Sequence, residues 1–190
     1  MITFNFDINK LSQIVNYLLK LNRFRLNYTK LIKLLYLADR EALKLWDTTI
    51  TKDHYYNMKS GPVLSCLYDL IQGRLKNENQ SFWDRFFITD VFDLKSIIKN
   101  DLPEDELSPR EQELLQKIDK KFKKYDYKAM IKYCHDNLEE YEKPIPIESR
   151  VPLKINKILK ILGRSEEEIK EFELENKIYL EEEKILLNNA

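Results

Sequence analysis

The chain has 190 residues, 43% hydrophobic and 34% charged, and its 32 basic and 32 acidic side chains give a formal net charge of zero. That length closes a real core as one domain, with or without an appendage, and the charge balance argues against a dedicated nucleic-acid binder, which carries a basic excess. Gly61, Gly73 and Gly163 lie too far apart for a phosphate-cradling loop, no run approaches the ~20 apolar residues of a membrane span, and Met1 to Asp7 lacks the pattern of a signal peptide, so the expected compartment is the cytoplasm.

Asp7 is a good N-cap for a first helix reaching Leu21, with Leu11, Val15, Leu18 and Leu19 on its apolar face. A turn over Asn22 to Leu26 leads to the most hydrophobic helix, Thr29 to Trp46. Leu31, Leu34, Leu35, Ala38, Ala42 and Leu45 form one stripe, while Ile32, Leu37 and Leu43 lie off it. A helix apolar on several sides is packed by other elements rather than laid on the surface. Asp39 falls on its flank and needs a donor, because an unpaired buried charge costs several kcal/mol, on the order of 3–5.

His54 to Met58 reads as a strand. Ser60-Gly61-Pro62 predicts a helix from Pro62 to Gln72, since proline suits a first helical position, and Gly73 stops it. Lys76 to Ser81 reads as a loop. Trp83–Thr89 and Val91–Ile97 predict a hairpin turning at Thr89-Asp90, which with His54–Met58 makes one three-stranded antiparallel sheet. Ser108-Pro109-Arg110-Glu111 is a capping-box start for a helix reaching Tyr125, and Asp126 caps the next, with Met130, Ile131, Cys134 and Leu138 inward. Three prolines between Lys143 and Pro152 break the pattern and set a boundary between 1–143 and 144–190. Beyond it, Leu153 to Leu162 and an acidic helix from Ser165 to Leu187 complete a helical extension.

The chemistry-bearing residues form no catalytic cluster. His54 and His135 lack a partner at metal-ligand spacing, and adjacent Cys134 and His135 point apart on a helix. Cys66 and Cys134 sit in apolar helical patterns and read as reduced, buried thiols. Asp39-Arg40-Glu41 fits a salt-bridged helix flank better than an acid site. Lys59, placed before the helix expected at Pro62, offers an anion site only if Ser60 and Gly61 leave the helix N–H groups free. Tyr55, Tyr56, Phe82, Trp83, Phe86 and Phe87 are interleaved with as many acids as bases, which favours core packing over a stacking platform. The charged tail helix has no obvious core of its own and is expected to dock on something.

Taken in order, Leu31 to Glu41, Thr49 to Asp53, Tyr56 to Val63, Leu67 to Leu70 and Leu107-Ser108-Pro109 resemble the Panacea antitoxin domain, the family of SocA-like antitoxins and phage-associated relatives. Ser60 departs from the histidine or tyrosine that relatives often carry before the glycine, and Ser65-Cys66 also departs from their commoner pattern. The resemblance implies an α+β, mainly α fold with a small antiparallel sheet, and a non-enzymatic protein that neutralises a co-encoded toxin by direct binding or acts as an adaptor to an ATP-dependent protease. The residues themselves, without a cofactor motif or metal-ligand spacing, lead to the expectation of no cofactor and no metal. Asp39, Arg40, Lys59, Gly61, Pro62 and Tyr68 are the motif residues with expected structural roles; toxin contacts are expected on the carboxyl-terminal arm, and a homo-oligomer is compatible with the pattern.

Overall fold

The computed structural model describes residues 2, 4–98, 102–142, 146 and 149–188, with the side chains of 183 and 186–188 outside the description. Its elements in chain order are α1 (Ile8–Leu21), β1 (Arg25–Asn27), α2 (Tyr28–Trp46), β2 (Tyr55–Met58), β3 (Gly61–Leu64), α3 (Ser65–Ile71), α4 (Glu78–Trp83), β4 (Phe87–Asp90), β5 (Asp93–Ser96), α5 (Pro109–Lys121), α6 (Tyr127–Asn137), β6 (Val151–Leu153), α7 (Ile155–Ile161) and α8 (Glu166–Asn188). The architecture is α+β and mainly helical.

Local signals account for most helix starts. Asp7 accepts from the Asn9 and Lys10 N–H groups, Asn27 from those of Thr29 and Lys30, and Asp126 from that of Ala129. The Ser108 and Ser165 capping boxes both form. α2 is the axis of the domain. It packs against α5, α6, α3, α7, β1 and β3, and Leu31, Leu34, Leu35, Ala38, Ala42 and Leu43 are all inaccessible to solvent. Ile32 and Leu37, off the main stripe, are buried too, as a helix covered from several sides requires. Leu45 is the exception; near the helix end it is exposed.

The strands divide between two antiparallel sheets rather than forming one. The β4–β5 hairpin pairs with β1, a strand formed where a turn was expected, in the order β1-β5-β4; β2 lies between β3 and β6 in the order β3-β2-β6. The hairpin turns at Val91-Phe92, two residues later than expected, with Val91 in the left-handed region. Part of the expected 76–81 loop folds into α4, begun by an Asn77 side-chain cap.

The helix expected from Pro62 is displaced. Gly61 to Leu64 is a β-strand, and helix begins at Ser65. Gly61, at φ +96°, closes the β2–β3 turn, which is tight enough that Met58 pairs directly with Gly61. Pro62 then lies on the edge strand of its sheet, where a missing N–H costs no ladder bond. Of the expected boundary at 143/144, the stretch 143–148 lies outside the described residues apart from Pro146. The segment beyond it returns to the body through β6, which adds to the free edge of β2 with Tyr55 opposite Leu153.

A side chain at Gly61 meets both strain and crowding, since an added Cβ lies 3.3 Å from Lys33 Nζ and 3.4 Å from Cys134 Cβ. Gly61→Ala is expected to destabilise the chain by roughly 1–3 kcal/mol, read as a lower urea midpoint at unchanged slope; an unchanged midpoint contradicts the turn geometry.

Candidate functional site

Lys33, Tyr36, Asp39 and Arg40 run along one flank of α2 at helical spacing, and each ties a distant segment to the helix. Asp39 is fully buried and accepts four hydrogen bonds. Its Oδ1 takes the N–H groups of Ile50 (2.8 Å) and Thr51 (2.9 Å), and its Oδ2 takes the hydroxyls of Thr51 and Tyr55, the latter at 2.9 Å. The carboxylate thereby folds the loop after α2 back on the helix and reaches β2. Burial pushes its pKa up to about 6 from 3.8, and the four donors hold it no higher.

Arg40 Nε donates to Glu140 Oε1 at 2.7 Å, and Tyr36 Oη donates to the same oxygen at 2.9 Å. Glu140 is fully buried, and its backbone carbonyl accepts from Asn57 Nδ2 at 2.8 Å and from Lys157 Nζ at 3.3 Å. Glu140, three residues past the end of α6, thus joins α2, β2 and α7. Lys33 Nζ donates to the Pro62 carbonyl at 2.5 Å in the space that a Gly61 side chain would occupy. Burial lowers its ammonium to about 8.

Asp53 does for α3 what no residue at its N-cap does. It accepts from the Cys66 and Leu67 N–H groups at 2.9 Å each, and the Ser65 N–H goes to the His54 carbonyl. The donors at this helix start are therefore taken, and Lys59 stands on the β2–β3 turn rather than at a helix end, so the anion site considered for it does not form. The Lys59 carbonyl accepts from Tyr141 Oη at 2.8 Å. Two guanidinium groups, those of Arg74 and Arg150, each lie 5.2 Å from the Tyr68 ring centroid. Arg150 holds Asp69 through two hydrogen bonds.

The sequence-expected residues thus fall into two groups. Asp39, Arg40, Gly61 and Pro62 are internal braces. Lys59 and Tyr68 line a cleft of about 190 Å³, with Tyr28, Ile32, Met58 and Val63 among its other walls. Beside the cleft, Tyr28 donates its N–H to the Phe92 carbonyl at 2.9 Å, and the two rings lie 6.4 Å apart. Phe92 is 63% exposed and Val91 77%, and Ile88 and Ile97 of the same hairpin are also exposed. Cleft and hairpin tip make one continuous face, aromatic at its edge and cationic at its rim.

Among the described residues no three His, Cys, Asp or Glu side chains gather as a metal site, and no helix is long and apolar enough to cross a membrane. His135 stacks flat on Tyr141 at 4.3 Å. Both cysteines are free; Cys134 is buried and Cys66 half-buried. Trp83 and Phe87 are core residues, as the mixed charge around them suggested, while Phe82 and Phe86 are only partly covered.

Sequence reasoning missed Lys33, Asp53, Glu140 and Arg150. Lys33 carried a visible signal, a cation inside the run Leu31-Ile32-Lys33-Leu34-Leu35; Glu140, beside Glu139, carried none.

The family model described as antitoxin SocA-like, Panacea domain, matches residues 31–140, from the start of α2 to Glu140. The chain belongs to this family. Comparison with curated proteins and with solved structures finds no match. The matched stretch thus takes in the α2 braces and ends on Glu140, with α1, β1, β6, α7 and α8 outside it.

A carboxyl whose folded pKa is raised binds its proton more tightly in the folded chain, so its contribution to stability falls as pH rises from about 4 to about 6. For Asp39 the full loss is about 3 kcal/mol at most. Asp53, also raised by burial, acts in the same direction, so the test is a difference. Asp39→Asn is expected to flatten the decline of urea-derived stability between pH 4 and 6; parallel wild-type and variant profiles remove Asp39 from it. Asp39→Ala strands four buried donors and is expected to cost about 3 kcal/mol or more at pH 7.

Proposed function

We propose that this Panacea protein is a non-enzymatic antitoxin that neutralises a co-encoded toxin by binding it directly, through the face formed by the Tyr28–Tyr68 cleft and the Phe92 hairpin tip. Membership of the antitoxin family over residues 31–140 carries the reading. Three features support the choice of face. Most of it lies within the family-matched part of the chain, the exceptions being Tyr28, Thr29 and the rim residue Arg150, whereas α8 lies wholly outside it. It sets exposed aromatic and aliphatic side chains beside a concavity, the arrangement in which binding hot spots cluster. Lys59, Arg74 and Arg150 make its rim cationic, which suits an acidic partner surface. The buried carboxylates Asp39, Asp53 and Glu140 are committed to donors, which favours a binding role over acid–base chemistry.

The test is co-expression with the product of the adjacent gene. The wild-type chain is expected to restore growth and to co-purify with that product. Phe92→Asp on the exposed turn is expected to weaken capture at least about tenfold without lowering the thermal midpoint. Growth restored without co-purification, with the partner's half-life shortened, identifies a protease adaptor instead. Absence of both rescue and co-purification refutes the antitoxin reading.

A further inference from the structure

We propose that α8 pairs in parallel with the α8 of a second copy of this chain, along a stripe of Leu174, Ile178 and Ile185 that the folded monomer leaves in solvent. The α8 helix has two apolar faces, and the body uses one. Ile169 and Asn176 are buried, Phe172 packs against the core, and the Tyr179 ring takes the Lys52 ammonium at 5.6 Å. At about 100° per residue these four fall within an arc of roughly 80° on the docked side. Leu174, Ile178 and Ile185 fall within roughly 40° on the opposite side. They are 61%, 47% and 59% exposed. Spacings of four and seven residues are those of a coiled-coil seam.

The flanks of the stripe identify the occupant. One edge carries Lys170, Lys177 and Lys184, seven residues apart; the other carries Glu168, Glu175 and Glu182, also seven apart, and all six are exposed. When two such helices run parallel, each lysine row faces the other's glutamate row. Run antiparallel, lysine meets lysine and glutamate meets glutamate. The flanking rows are therefore complementary to themselves in the parallel orientation only. Because the docked face lies opposite the stripe, a two-fold axis along the seam leaves the two bodies on its outer sides, and pairing displaces nothing.

Glu171 and Glu181 also fall on seam positions, so the contact is short and its affinity modest, with a dissociation constant on the order of 10–100 µM. This inference is independent of the toxin-binding face, which lies on another part of the molecule.

Sedimentation equilibrium of the full chain tests it, over roughly 1–500 µM. The mass is expected to rise from monomer toward dimer, and Leu174→Glu with Ile178→Glu is expected to hold it at monomer with an unchanged far-ultraviolet spectrum and thermal midpoint. Lys177→Glu/Lys184→Glu and Glu175→Lys/Glu182→Lys are each expected to be monomeric alone and to dimerise when mixed. Ile178→Cys is expected to cross-link to itself on mild oxidation, as a parallel, in-register pair places like positions together. A wild-type chain that stays monomeric throughout overturns the proposal, as does a dimer that survives the double glutamate variant. Retention of the adjacent gene product by wild type but not by the double glutamate variant, with no dimer in either, assigns the stripe to a different partner.

Discussion

A helix covered from several sides offers little water to the polar side chains on those sides, and α2 carries Lys33 and Asp39 fully, and Arg40 partly, into that position. Each must find its partner in the protein, and the partners lie in other parts of the chain: the Pro62 carbonyl, the loop at Ile50-Thr51, and Glu140 past α6. Placing one of these charges without its partner costs several kcal/mol, on the order of 3–5. The polar groups therefore select an arrangement as much as they stabilise one. A packing of the same helices that misplaces Glu140 leaves Arg40 and Tyr36 unsatisfied together. This makes the domain a set of mutually dependent braces, and one of them, Lys33, also lines the cleft of the candidate face.

The division between brace and face explains what was legible in the sequence. Apolar period and capping residues are local, so α1, α2, α5, α6 and the start of α8 could be read from short windows. The Gly61-Pro62 corner could not, because two local rules fit it equally. Proline after glycine suits both a first helical turn and an edge strand. What decides it is Asp53, which caps α3 from outside and moves the helix start to Ser65. The split into two sheets was hidden for a related reason. β1 is three residues long, with no alternation to display, and exists because the hairpin offers it an edge.

The candidate site divides in the same way. Asp39 announced itself as a charge on an apolar helix, and its need for donors followed from burial alone. Glu140 did not, since its burial depends on α6 ending where it does and on Tyr36, Arg40 and Asn57 converging there. The exposed side chains of Lys59 and Phe92 are defined as a surface only when α2, the β2–β3 turn and the hairpin are brought together.

The pairing of β6 with β2 bears on how the molecule is made. Tyr55 and Leu153 face each other across the ladder but lie roughly a hundred residues apart in the chain, a contact that closes a large loop. At synthesis rates of about 5–20 residues per second, β2 leaves the ribosome several seconds before its outer neighbour exists. During that interval the family-matched portion has a bare strand edge, open to any extended peptide. Completion of the β3-β2-β6 sheet is thus a timed event, and a nascent chain has an adhesive edge that the finished protein lacks.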